Sequence, residues 1–215
     1  MPGFSFFITL TAGVLAWTMQ RLPKIGVAGG FGLALLFVIA GSVLDRDPSG
    51  WISGVTFVAV VTGGALLGRI LPAGWGPMAV LLGVLATIDI IWITSGGAAS
   101  DAVRTVATLT VRSGNSTAAI GTGDILLAAA IASHWRSRGA RFAPAIAGAP
   151  LGMILANLFF AVSGVANLAL VPFIAVGWIG TEVWWRRMAG TVVTVGGELG
   201  ATERRAEQDH RRSAR

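Results

Sequence analysis

The sequence predicts an all-α polytopic membrane protein, a bundle of about seven transmembrane helices. Three observations lead to this fold class. Of the 215 residues, 54% are hydrophobic and only 12% are charged, which is unlike a soluble domain. The apolar residues form runs of about 17–22 residues, long enough to cross a hydrocarbon core of ~30 Å. Most arginines flank these runs, as cytoplasmic anchors do.

Seven apolar runs define the expected spans. They lie at approximately 4–20, 25–44, 51–70, 75–95, 117–135, 142–163 and 166–185. The first run is not expected to be a signal peptide, because no basic residue precedes it and no convincing cleavage site follows it. Arg21 and Lys24 come after it instead, which places the N-terminus outside.

The distribution of arginine gives the remaining topology. The 136–141 loop is basic, and Arg186 and Arg187 open a basic tail, so both are expected on the cytoplasmic side. An odd number of spans then places the C-terminus inside and the 96–116 loop outside. Abundant arginine, alanine and glycine beside a single lysine are typical of a GC-rich bacterial source. We therefore expect an integral protein of the bacterial cytoplasmic membrane.

The chain divides into three expected regions. Residues 1–74 form an N-terminal three-helix membrane region, and residues 75–187 form a four-helix membrane region that carries the acidic residues described next. Residues 188–215 are strongly polar, so we expect a mobile cytoplasmic tail there. No internal repeat is visible, and an inverted-repeat transporter therefore gains no support.

Two aspartates lie deep in consecutive apolar runs. Each costs roughly 2.5–3.5 kcal/mol to insert, which indicates a function. Asp89 stands about six residues before the fourth span ends, and Asp124 stands about seven residues after the fifth begins. At ~1.5 Å per residue, both lie roughly 10 Å below the external face. Antiparallel neighbouring helices are therefore expected to bring the two carboxyl groups together.

A pair of crowded carboxyl groups can perform acid–base chemistry. The pair holds a single proton over a working range, because two adjacent carboxylates cannot both ionise cheaply. One member then acts as a base toward water while the other polarises a peptide carbonyl. Gly121 and Gly123 remove side chains beside Asp124, which favours close helix contact or the approach of an extended substrate. A proton-coupled transporter or channel could use the same carboxylates.

The external loop between the two aspartate helices contains a segment rich in β-branched residues, Arg104 to Arg112. This composition favours a β-strand or a short hairpin. A short helix capped by Ser100 is the competing interpretation.

Composition disfavours several other classes of site. The chain has no cysteine and two histidines, so neither a metal nor a cofactor is expected. The net charge of +6 comes largely from flanking arginines, and we expect no nucleic-acid partner because no basic folded domain carries these charges. Glu182 is interpreted as an interfacial residue near a helix end, and Trp75 and Trp178 as interface or packing aromatics. The oligomeric state is not indicated.

The aspartate segments resemble those of the GxGD intramembrane aspartyl proteases, the family of presenilin and signal peptide peptidase. Gly121-Thr122-Gly123-Asp124 is similar to the second-aspartate motif, and Asp89-Ile90-Ile91-Trp92 resembles the first-aspartate segment. Leu168-Ala169-Leu170, followed by Val171-Pro172-Phe173, looks like the Pro-Ala-Leu motif of the last family helix. The resemblance covers about residues 75–185.

The resemblance implies a protease that cleaves transmembrane segments or remnant signal peptides, with Asp89 and Asp124 as its catalytic residues. It also implies a set of substrate-binding residues: Gly121, Thr122, Gly123, Leu168, Ala169 and Leu170. The external loop between the aspartates matches the orientation of signal peptide peptidase, which is opposite to that of presenilin. The expected partners are a transmembrane peptide and the lipid bilayer.

The chain departs from the family pattern in three ways. Ile88 replaces the tyrosine usual before the first aspartate, and Leu168 replaces the motif proline. Seven spans instead of nine indicate a shortened bacterial-type homologue.

Prepilin peptidases also carry GxGD, and Gly121 to Ala130 resembles their motif. They usually place the first aspartate near a cytoplasmic loop, whereas both aspartates here are expected to open outward.

Overall fold

The structure is a computed structural model that describes residues 2–44, 50–94, 108–113, 116–139, 142–164 and 169–188. Its contacts divide the chain into two units, Met1–Thr181 and Glu182–Arg215. Each unit is described by itself. The functional geometry below lies in the first unit, and the second contributes one ion pair.

The described residues form seven helices and one β-hairpin. In chain order these are α1 (Pro2–Met19), α2 (Lys24–Leu44), α3 (Gly50–Ile70), α4 (Trp75–Thr94), β1 (Thr108–Ser113), β2 (Ser116–Gly121), α5 (Thr122–Ser137), α6 (Phe142–Ser163) and α7 (171–188). The mostly helical architecture with seven helices is therefore confirmed. The boundaries of the first four helices and of α6 agree with the apolar runs within two residues.

Two expected helix starts are wrong. The fifth helix begins at Thr122 instead of 117, because 116–121 pairs as a strand and the apolar run continues from strand into helix. The seventh begins at 171 instead of 166. The carbonyl oxygen of Leu170 accepts hydrogen bonds from the backbone N–H groups of Phe173 (3.0 Å) and Ile174 (3.1 Å), and Pro172 follows in the first turn, where proline is tolerated.

The hairpin lies between the two aspartate helices. β1 pairs antiparallel with β2 in a register that runs from Thr108 opposite Gly121 to Ser113 opposite Ser116. The strand expected over Arg104 to Arg112 is thus present from Thr108 onward, and 104–107 lies outside the described residues. Since β2 ends at Gly121 and α5 begins at the next residue, the hairpin leads directly into the helix of Asp124.

Glycines end two helices by adopting the left-handed conformation. Gly139 follows α5 with φ of 73°, and Gly164 follows α6 with φ of 67°. The backbone N–H of Gly139 donates to the carbonyl oxygen of Arg136 at 2.9 Å, which satisfies one of the last helical carbonyls. Only glycine adopts this conformation without steric cost.

Helix α5 lies at the centre of the first unit, where it packs against α1, α3 and α6, while α2 packs against α3. Its small residues permit this, because 128–130 and residue 132 are alanines and all are buried. On α3, Gly64 and Gly68 face the α5 backbone. An added Cβ at Gly64 would overlap the carbonyl oxygen of Leu126 and lie 2.8 Å from the Cβ of Ala129. The α3–α5 crossing therefore depends on glycine, as in small-xxx-small contacts of membrane helices.

A second close crossing joins α6 and α7. An added Cβ at Gly152 would lie 2.6 Å from the Cα of Ile174, and one at Gly148 would lie 3.2 Å from the Cα of Trp178. From the other side, a Cβ at Gly177 would lie 2.6 Å from the backbone nitrogen of Gly152. These three glycines bring the two helices into backbone contact.

Among the residues described, one helix, α6, is long and apolar enough to cross a membrane. Shorter apolar helical stretches run over Phe6–Met19, Lys24–Leu36, Gly54–Ile70 and Trp75–Ile91. Many large apolar side chains are exposed, including Ile25 at 86% and Val162 at 89%. Seven helices are thus present among the described residues.

Candidate active site

Asp124 lies in the first turn of α5 and is buried, with 7% of its surface exposed. Gly121 is the N-cap residue, so Asp124 occupies the third helical position. Its carboxylate accepts a hydrogen bond from the backbone N–H of Gly121. A side chain at this position that reaches back to the N-cap is half of a capping box. The local fold therefore fixes the Asp124 carboxylate against its own helix start.

Gly121 leaves the space that the Asp124 carboxylate occupies. A Cβ at residue 121 would lie 2.8 Å from Oδ2 and 3.5 Å from Cγ of Asp124. Gly121 has φ of −63° and ψ of 136°, a conformation open to any residue. The requirement is therefore for space and not for backbone freedom. Gly123 differs, because an added Cβ there meets nothing within 4 Å.

Asp89 connects α4 to the start of α7. Its Oδ2 accepts a hydrogen bond from the backbone N–H of Val171 at 3.1 Å. Val171 is the first residue of α7, and its N–H is one of the groups that a helix start leaves without an intrahelical acceptor. A carboxylate at this end also interacts favourably with the helix dipole.

The two aspartates interact across the fold. The charge of Asp89 acts on the carboxyl group of Asp124, so the fold brings the two acids within electrostatic range of each other. The expected position of Asp124 along its helix was wrong, because Asp124 stands two residues after the start of α5 and so about 3 Å along it. The hairpin replaces the helical turns that were expected before it.

The arrangement has a distinct electrostatic character. Each carboxylate accepts a backbone N–H at the N-terminal end of a helix: Asp124 from Gly121, Asp89 from Val171. Both helix starts favour negative charge, while mutual repulsion and the burial of Asp124 oppose two charges. A pair balanced in this way can hold one proton and exchange it with a water molecule or a substrate.

The remaining expected site residues lie beside Asp124 or beside Val171, the backbone partner of Asp89. Thr122 opens α5 and is partly buried. Ala169 and Leu170 are partly buried and immediately precede Val171, whose N–H bonds Asp89. Leu168 lies outside the described residues. The segment that resembles the third family motif is therefore joined to the first aspartate through its neighbouring backbone.

Sequence reasoning missed several contributors to the site. The partner of Asp89 is a backbone N–H, which no side-chain pattern identifies. Gly64 and Gly68 of α3 contact the backbone of α5, and their four-residue spacing could have indicated this contact.

Glu182 in the second unit was interpreted as interfacial. It is buried, with 6% of its surface exposed. Its Oε1 accepts from Nε of Arg186 at 2.9 Å, so its charge is paired within α7.

No family model, no curated protein and no solved structure matches this chain. Within the residues described, no group of three or more histidine, cysteine, aspartate or glutamate side chains could hold a metal ion.

Proposed function

We propose that the protein is an intramembrane aspartyl protease that hydrolyses peptide bonds in transmembrane segments or remnant signal peptides. The observation that carries this proposal is the interaction between Asp89 and Asp124, contributed by different helices and each held by a backbone N–H at a helix start. Fixed carboxyl groups that share a proton are the machinery of metal-independent peptide hydrolysis.

Placement in the bilayer is supported by composition and by the surface of the helices. Exposed large apolar residues occur on six of the seven helices, for example Phe7, Ile25, Ile91, Phe160 and Trp184. Water would penalise such a surface and lipid would not. In the proposed arrangement all seven helices span or enter the cytoplasmic membrane, and the hairpin lies at its external side.

The proposed reaction needs one water molecule and both carboxyl groups. One carboxylate removes a proton from the water as it attacks the scissile carbonyl carbon, while the other, protonated, donates to the carbonyl oxygen. As the resulting tetrahedral intermediate collapses, one of its hydroxyl groups returns a proton to the second carboxylate, the C–N bond breaks, and the amine leaves with the proton held by the first group. The pair ends with the single proton it began with, so no cofactor is consumed.

The hairpin supplies a means of presenting a helical substrate. A peptide bond within a helix is shielded by its own hydrogen bonds, and unwinding in lipid leaves backbone groups without partners at several kcal/mol each. An unwound segment that pairs with an edge strand of the hairpin regains those partners. Since β2 ends three residues before Asp124, a strand aligned with the hairpin runs toward the carboxyl pair, with Ala169 and Leu170 placed on the Asp89 side.

The test is cleavage of a panel of transmembrane peptides by the purified protein in liposomes, compared with Asp124→Ala. We expect defined internal fragments from the wild type and none from the variant. Proton uptake coupled to a solute without any peptide cleavage would favour the transporter alternative. Cleavage restricted to peptides with a prepilin-type leader, at the cytoplasmic side, would favour a prepilin-peptidase-like protease.

A further inference from the structure

The other end of α5 carries a cluster of cations that the proposed proteolysis does not use. Its members lie at the start of α2 and at the ends of α3 and α5; we call them the basic end: Lys24, Arg69 and Arg136. Arg136 stands twelve residues beyond Asp124 in α5, which is about 18 Å along the helix. The basic end is therefore distinct from the aspartate pair.

Two guanidinium groups of the basic end are fixed against one helix terminus. Nη1 of Arg136 donates to the carbonyl oxygen of Trp17 at 2.9 Å. Nη1 of Arg69 donates to the carbonyl oxygen of Leu22 at 3.2 Å, and its Nη2 donates to that of Met19. Both arginines are partly buried. Their side chains are thus held in position at the C-terminal end of α1 before any ligand arrives.

The positive charge gathered here is not balanced by an acid within the described residues. The described acids are Asp89, Asp124 and Glu182; the first two lie at the other site, and Glu182 pairs with Arg186. Arg136 acts electrostatically on Arg69, so two like charges are held close together. Carbonyl oxygens at the ends of helices offset such charges in part, but an anion would offset them further.

The surroundings of Arg136 are those of a membrane interface. Its guanidinium lies 4.9 Å from the centroid of the Trp17 ring, and Trp17 packs edge-on against Phe142 at 5.6 Å between centroids. Tryptophan and arginine are enriched together at the level of lipid headgroups. Within the described residues Arg136 donates one hydrogen bond, and a guanidinium carries five N–H donors in a fork that matches phosphate.

We propose that the basic end is a binding site for the phosphate of an anionic phospholipid headgroup, with Arg136 as the principal ligand and Arg69 as its electrostatic support. Basic pockets between transmembrane helices on the cytoplasmic side bind anionic headgroups. The site requires the membrane placement proposed above but not catalysis, because it lies at the opposite end of α5.

The test compares phosphatidylglycerol with phosphatidylcholine as ligands of the full-length protein, delipidated in a neutral detergent, by native mass spectrometry. The variants are Arg136→Gln and, as a matched control, Arg21→Gln, which removes the same charge from an exposed residue at the same end. Loss of a charge-assisted hydrogen bond predicts more than about a tenfold loss of phosphatidylglycerol affinity in Arg136→Gln. Loss of one surface charge predicts no more than about fivefold in Arg21→Gln.

Equal effects of the two substitutions would overturn the proposal, and so would equal affinity of the wild type for the two lipids. If Arg136→Gln fails to fold, Arg136→Lys and Arg21→Lys replace the two glutamine variants. Lysine keeps the charge and loses the forked set of donors, so only Arg136→Lys is expected to weaken binding.

A last experiment adds inorganic phosphate as a competitor of phosphatidylglycerol. Competition by phosphate at the lipid's own concentration would identify a free phosphate ion as the ligand, and absence of competition would identify the headgroup.

Discussion

The two glycines beside Asp124 provide a matched pair of substitutions. Alanine at Gly121 places a Cβ 2.8 Å from Oδ2 of Asp124, whereas alanine at Gly123 meets nothing within 4 Å. Ordinary contact begins near 3.4 Å, so Gly121→Ala must displace the carboxylate by roughly 0.6 Å. A misplacement of about 1 Å costs on the order of 10²-fold in rate. We therefore expect Gly121→Ala to lower kcat/KM for a transmembrane peptide by about 10- to 100-fold.

The control should retain activity. Gly123→Ala lies in the first turn of α5 with open space around it, and replacing a helical glycine by alanine stabilises by roughly 0.5–1 kcal/mol. We expect near wild-type cleavage and an unchanged or higher Tm. The assay is release of a quenched fluorophore from the peptide in liposomes, with Tm measured on the same preparations. Equal activity of the two alanine variants would refute the conclusion that Gly121 makes room for a catalytic carboxylate.

Three further predictions concern packing, substrate pairing and topology. Gly64→Val should destabilise the protein by roughly 1–3 kcal/mol, because it overpacks the α3–α5 crossing. The control Gly54→Val should not destabilise it, because an added Cβ at residue 54 meets nothing within 4 Å. Equal melting temperatures of the two variants would exclude the close α3–α5 crossing. Thr108→Pro removes a backbone donor from β1 and should slow cleavage about fivefold, the value of one hydrogen bond; an unchanged rate would count against strand pairing of the substrate. A reporter fused after Gly139 should lie in the cytoplasm, and an external reporter would contradict the topology.

The helices were predictable from the lengths of the apolar runs, but the start of α5 was not. Residues 117–135 form one apolar run, but the strand over 116–121 takes up its first residues and Thr122 begins a helix. Hydrophobicity alone cannot separate a buried strand from a buried helix. The glycine at 121 marked the boundary in retrospect, because it is the N-cap and clears the space for Asp124.

The sequence was enough to predict that the two aspartates belong to one site, but not which backbone groups hold them. Two acids in consecutive apolar runs predicted a common site, and in the structure the charge of Asp89 acts on the carboxyl group of Asp124. The N–H of Val171 as the partner of Asp89 depends on how α7 packs beside α4, which no local pattern specifies. The contacts of Arg69 and Arg136 with the end of α1 likewise depend on how the helices pack, which no local pattern specifies. By contrast, Gly64 and Gly68 carry a spacing that could have been read as a helix contact.

The most direct test of the central claim is cleavage of one transmembrane peptide by Asp89→Asn and Asp124→Asn in liposomes. Asparagine keeps the size of each side chain and removes its acid–base function, so both variants should show no cleavage above background. Both should retain the wild-type Tm or exceed it slightly, because the repulsion between the two acids is gone. Cleavage at the wild-type rate by either variant would contradict the account, and loss of folding in both would assign the aspartates a structural role.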